Sequence, residues 1–137
     1  MRVFILGCGR VGAMVADLLS SEGHDVTVID ADPDTVRRLT PRFKGTFISG
    51  VGIDEDFLRH AGVEKADAFI ALTEGDNTNV MAGQIAKHIF GVPRVISQLK
   101  DPMRGEAYAG LGIMTICPTI IGADAIREVI EGDVSLV

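Results

Sequence analysis

Apolar and polar positions follow a repeating plan in this chain. Short apolar runs, closed by glycine, proline or a carboxylate, alternate with longer stretches in which apolar residues recur at helical spacing. The first run, Arg2-Val3-Phe4-Ile5-Leu6, predicts a strand that breaks at Gly7. Val11, Val15, Leu18 and Leu19 then mark a helix, which Ser20-Ser21-Glu22-Gly23 closes. Residues 25–29 predict a second strand, 33–39 a short helix opened by Pro33, 46–49 a third strand, and 53–61 a helix ended by Gly62. Residues 68–72 are apolar throughout, as a strand buried on both faces requires. Thr73 and Asp76 supply capping chemistry for a long helix over 77–90, with Val80, Met81, Ile85 and Ile89 as its buried stripe. Residues 95–99 predict a fifth strand, 104–109 a short helix, 114–117 a sixth strand stopped by Pro118, and about 119–132 a last helix.

Strand and helix thus alternate along the whole chain. The simplest architecture is α/β: a Rossmann-type, doubly wound, parallel six-stranded sheet of order 3-2-1-4-5-6, with its ligand crevice at the strand C-termini where the order reverses. No linker or internal repeat divides it, so residues 1–137 read as a single domain. Dehydrogenases built on this nucleotide fold usually add a substrate domain, and none fits in 137 residues.

The chain is 47% hydrophobic with 16 glycines and no tryptophan, the balance of a compact α/β protein. Its net charge of −6 disfavours nucleic acid, whose phosphate backbone demands a basic face. Cys8 and Cys117 form no C-x-x-C pair, which points to a reducing, cytoplasmic setting rather than a disulfide or zinc scaffold. His24, His60 and His88 are scattered without ligand spacing. No signal peptide opens the chain. The longest uncharged span, 107–123, is broken by Gly110, Gly112, Pro118 and Gly122 and falls short of the ~20 apolar residues of a spanning helix, so no direct membrane insertion is expected.

The candidate chemistry lies where strands hand over to helices. Gly7-Cys8-Gly9-Arg10-Val11-Gly12 is a G-x-G-x-x-G turn: its glycines allow a sharp bend, close approach to a pyrophosphate, and tight packing of helix on strand. Phosphate then meets the helix N-terminus. Asp30 ends the second strand in the ~20-residue window where an acid takes the adenosine ribose. A carboxylate accepts from a free 2′-OH and repels a 2′-phosphate, so Asp30, with Asp32 nearby, favours NAD or an unphosphorylated adenosine over NADP. Both acids can also cap the helix at Pro33, and the two roles are compatible. The crevice further collects Gly50 to Gly52, Thr73 and Gln98. Arg37 and Arg38 read most simply as a solvated face, a phosphate or partner contact from either being the alternative. No nucleophile-base arrangement is legible, no strand-three lysine accompanies a kinase-type loop, and no G-K-[ST] completes a P-loop.

Taken together, the glycine turn with Arg10, Asp30, the G-x-x-x-D run from Gly50 to Asp54, Ala61-Gly62-Val63, Ala71-Leu72-Thr73 followed by Asn77, and Asp101-Pro102 resemble one family over nearly the whole chain. The chain is similar to the RCK or KTN domain, the cytosolic regulator of potassium channels and transporters. That resemblance implies a sensor rather than an enzyme, one that binds NAD(H) or an adenine nucleotide (ATP, ADP or AMP). It also implies a homodimer, assembled into rings in many members, beneath a membrane potassium transporter or channel subunit at the inner face of the cell membrane. By position, Gly7, Cys8, Gly9, Arg10 and Val11, with Gly12 behind them, would hold phosphates, and Asp30, flanked by Ala31 and Asp32, the ribose. Gly50, Val51 and Gly52 would border the adenine, Leu72 and Thr73 would close the phosphate side, and Gln98 would lie at the far lip.

Two features depart from the family pattern. Val51 stands where an acid is usual, and Gly52 replaces a customary alanine. The smaller C-terminal lobe of many members is expected to be absent, and the last helix resembles the family's crossover helix, a plain intramolecular helix being the alternative. Glu74 and Asp76 are placed to recruit a divalent ion in a nucleotide complex. The competing functional reading is a minimal NAD-dependent oxidoreductase working with a separate substrate subunit, with only Thr73, His60 and Tyr108 as proton-donor options. A scaffold that has lost its ligand is a third.

Overall fold

The computed structural model describes residues 1–132, apart from the side chains of residues 106 and 109. Strands β1 (Arg2–Leu6), β2 (Asp25–Asp30), β3 (Thr46–Ser49), β4 (Ala68–Ala71), β5 (Arg94–Gln98) and β6 (Met114–Ile116) form one sheet in the order β3-β2-β1-β4-β5-β6, every neighbouring pair parallel. The expected architecture and strand order are therefore observed. Helices α1 (Arg10–Ser21), α2 (Glu55–Ala61), α3 (Asp76–Gln84), α4 (Gly105–Tyr108) and α5 (Pro118–Ile130) occur between and after the strands.

Strand periodicity explains why β1 is apolar from Val3 to Leu6, after the exposed Arg2 at its start. Val3 and Ile5 point to one face and pack with Ala13 and Ala16 of α1 and with Val26 and Val28 of β2. Phe4 and Leu6 point to the other face and join Leu58 of α2, Phe69 of β4 and Val80 of α3. A central strand covered on both sides has no position for a polar side chain. The helix over 53–61 is shorter than expected, because Asp54 is its N-cap and accepts from the amide of Phe57 at 3.1 Å; Gly62 ends it in the left-handed region.

The long helix differs from expectation in three respects. Its N-cap is Gly75, and neither Thr73 nor Asp76 caps it. The α-helix proper ends at Gln84, and Ile85–Ile89 continues as a π-turn in which the Phe90 amide reaches back to the Ile85 carbonyl. The sheet-facing residues are Asn79, Val80, Ala82, Gly83 and Ala86, whereas Met81 is 50% and Ile89 52% exposed. The cause is proximity: a Cβ at Gly83 would fall 2.4 Å from Ser97 Oγ on β5. Small residues therefore occupy the closest contact; Val80 and Ile85 of the expected stripe still reach the core, and Met81 and Ile89 are turned aside.

Residues 33–39 form a 3₁₀ helix, Pro33–Arg38, with Asp32 as N-cap. The stretch over 104–109 is a run of short turns around α4. The last helix begins at Pro118, the first position where proline lacks nothing a helix needs. Among the described residues, no helix is long and apolar enough to cross a membrane.

Candidate functional site

The site lies at the switch point, where β1 is flanked by β2 on one side and β4 on the other. Gly7 leaves β1 at φ 104°, and a Cβ there would sit 2.7 Å from the Leu72 backbone. A Cβ at Gly12 would fall 2.0 Å from the Gly7 carbonyl oxygen. Any side chain at either position would push the turn off the sheet. The turn is fixed by Gly7 N donating to the Ile29 carbonyl (2.7 Å), while Leu72 N donates to the Leu6 carbonyl (2.7 Å).

Asp30 is the second anchor. Its Oδ2 accepts from the Cys8 amide at 2.7 Å and its Oδ1 from the Asp32 amide at 2.8 Å. A carboxylate offers about four acceptor positions. Two remain for hydroxyls, so the residue that shapes the turn is also able to receive a ribose diol. Asp32 accepts from the Asp34 amide at 3.0 Å, the capping role expected of it.

Two clefts open on these anchors. The first, about 450 Å³, is bordered by Gly7, Gly9, Asp30, Ala31, Asp32, Gly50, Val51, Gly52, Leu72 and Thr73, all residues singled out from the sequence. The second, about 490 Å³, continues past Gly9 and is bordered by Arg10, Val11, Leu72 and Gln98. Cys8 lies beneath the turn, fully buried, and Gly12 is buried behind it. Burial pushes the Cys8 thiol above the ordinary value of 9.0, and Sγ donates to the Thr35 carbonyl at 3.3 Å.

Sequence reasoning missed Thr35, Lys100 and Asn79 and ranked a contact from Arg38 second. Arg38 is exposed, as a solvated face requires, and its Nη1 also donates to the Cys8 carbonyl at 3.3 Å where it borders both clefts. The 3₁₀ period carries the signal, since side chains three apart eclipse and Thr35 and Arg38 both face the first cleft. Lys100 lies beyond β5 and forms an ion pair with Glu74 that holds the Glu74 carboxyl below the usual carboxylate range. Asp76 accepts from the amides of Lys100 and Asp101 at 2.8 and 3.1 Å. These two acids, expected near the phosphates, are thus engaged with Lys100 and its neighbour. Asn79, fully buried, ties Thr73 to the Gln98 carbonyl beneath the clefts.

A parallel sheet of this order, a glycine turn at the switch point and an acid at the tip of the adjacent strand define a Rossmann-type nucleotide-binding fold. The chain belongs to the TrkA-N domain family, whose model matches residues 3–118. It is 46% identical over 124 residues to the Trk system potassium uptake protein TrkA of Streptomyces coelicolor, an alignment covering 90% of this chain and 56% of that protein. The chain therefore spans about half the length of that relative. Among solved structures, the TrkA-N domain of the inner membrane protein YbaL from Escherichia coli superposes with a TM-score of 0.82 at 17% identity, covering 93% of this chain and 95% of that one. The structure of GsuK bound to ADP does so at 0.79 and 21% identity, covering 96% of this chain and 34% of that one.

Proposed function

We propose that this chain is the nucleotide-sensing part of a potassium uptake or channel system, acting at the cytoplasmic face of a membrane transporter subunit. The ligand is an adenosine nucleotide, NAD(H) or ATP, ADP or AMP, with its ribose on Asp30, its first phosphates over Gly7 to Val11, and its adenine between Gly50, Val51 and Gly52. One observation carries this reading: the Asp30 carboxylate is held 2.7 Å from the Cys8 amide at the mouth of the glycine turn, with acceptor positions to spare. The curated relative's name ties the family to potassium uptake, and ADP in the GsuK structure makes an adenine nucleotide a sensible ligand class.

The mechanism is population shift. A ligand moves an equilibrium between dimer or ring geometries only by its difference in affinity for them. Regulation is favoured over an oxidoreductase by the placement of the three donor options. The Thr73 hydroxyl donates to Asn79 Oδ1 at 2.6 Å, the His60 ring lies on the Asp56 carbonyl of α2, and Tyr108 borders an apolar groove along α3. None is free beside the phosphate turn.

The test is titration calorimetry with NAD, NADH, NADP, ATP, ADP and AMP on the wild-type chain and Asp30→Ala. One or two adenosine ligands are expected to bind at micromolar or better affinity. Loss of charged hydrogen bonds to the ribose weakens them by about 1–3 kcal/mol. Because Asp30 also holds the turn, NADP supplies the control: removing the carboxylate narrows the preference for NAD over NADP, whereas a merely distorted turn weakens both alike. No binding by any ligand would overturn the sensor reading and favour a scaffold.

A further inference from the structure

The two clefts meet at Gly9 and share Arg38, Leu72 and Glu74. A ligand whose ribose sits on Asp30 and whose first phosphate lies over the glycine turn must send everything beyond that phosphate into the second cleft. The contents of that cleft therefore decide among adenosine ligands. Gln98 borders it at 5% exposure, and its Oε1 has no hydrogen-bond partner. A buried amide of this kind marks a place for a polar group from outside the chain.

The charged groups at the junction are arranged unevenly. Arg10 and Arg38 border the second cleft with Lys100, but the Lys100 ammonium is paired with Glu74, the one acid bordering that cleft among the described residues. The Lys100 main chain is pinned: its amide donates to Asp76 Oδ1 at 2.8 Å, and its carbonyl accepts from Thr119 Oγ1 at 3.2 Å. Only the side chain is free to change partner.

We propose that Glu74 and Lys100 form a charge filter at the junction of the clefts, favouring a dinucleotide over a nucleoside triphosphate. This rests on the nucleotide reading of the first cleft. A terminal phosphate entering the junction must draw Lys100 from Glu74 and then stand beside an unpaired carboxylate. A pyrophosphate bridging two nucleosides has no terminal phosphate, is followed by a neutral sugar, and leaves the pair intact. Arg10 and Arg38 serve the pyrophosphate in either case.

Calorimetry with AMP, ADP, ATP and NADH on the 137-residue chain, on Glu74→Gln, and on Glu74→Gln combined with Lys100→Gln tests the filter. Both residues are on the surface, so fold is not at stake. Glu74→Gln is expected to strengthen ATP binding about two- to fivefold at low salt, the size of an exposed charge interaction, with a smaller gain for ADP and none for AMP or NADH. The gain should shrink at about 0.3 M salt and disappear in the double variant. Equal shifts for all four ligands, or no shift in ATP relative to NADH, would overturn the filter. If NADH and AMP bind the wild type and Asp30→Ala weakens them while Glu74→Gln leaves the ratios unchanged, only the filter fails. If none of the four binds, the nucleotide reading fails and the filter with it.

Discussion

Asn79 spends its whole hydrogen-bonding capacity on the floor of the site. Its Oδ1 accepts from the Thr73 amide (2.8 Å) and hydroxyl (2.6 Å), and its Nδ2 donates to the carbonyls of Thr73 and Gln98, both at 3.0 Å. Asn79→Leu keeps the volume but strands several buried polar groups. A loss of about 2–4 kcal/mol is expected, read as a lower urea midpoint at unchanged slope. Cys8 offers a second residue-scale test. Its buried thiol keeps its proton above pH 9.0, where the unfolded chain releases one, so the native state binds more protons there. Stability is therefore present in full below that pH and falls as pH rises through the folded value, and Cys8→Ala should flatten this alkaline limb. In the native protein a thiol reagent should modify the partly exposed Cys117 well before Cys8.

At the scale of elements, α3 shows packing overriding pattern. Alanine is the better helix former by about 1 kcal/mol, yet Gly83→Ala would drive a methyl into Ser97 on β5. Overpacking costs about 1–3 kcal/mol, so a net loss in melting temperature is expected where propensity alone predicts a gain. The same contact explains what the sequence concealed. Strands were legible because a doubly covered strand is apolar at every position, as Val3 to Leu6 are, and the glycine turn with Asp30 was legible because its spacing is set by one strand-helix-strand unit. The stripe of the long helix was half legible: Val80 and Ile85 reach the core, but Met81 and Ile89 do not, because the close approach of Gly83 selects small residues and the π-turn after Gln84 breaks the helical period on which a stripe depends. Lys100 gave no signal at all: its partner Glu74 is 26 residues away and meets it only through the parallel pairing of β4 and β5.

For the whole molecule, α5 poses the open question of what covers it. None of its residues is buried, although Ile126, Val129 and Ile130 recur at helical spacing, and Ile130 is 81% exposed. Arg127 is satisfied within the helix, 3.8 Å from Asp124 and 3.5 Å from Glu131, so the polar side needs no partner while the apolar side does. A stripe of this kind is stable in water only when covered, and a second copy offers a self-complementary face, since a two-fold axis brings the same stripe to itself. Sedimentation over an about hundredfold concentration range is expected to show self-association that Ile126→Glu with Ile130→Glu abolishes. The double variant should keep its melting temperature when monomeric, because neither side chain contributes to either core cluster. If α5 is the element through which ligand occupancy is read out, adenosine ligands that differ at the Glu74–Lys100 junction should shift the association constant by different factors, because Thr119 at the start of α5 bonds to the Lys100 carbonyl. Equal association constants with every ligand would separate the two, leaving α5 an assembly element without a sensing role.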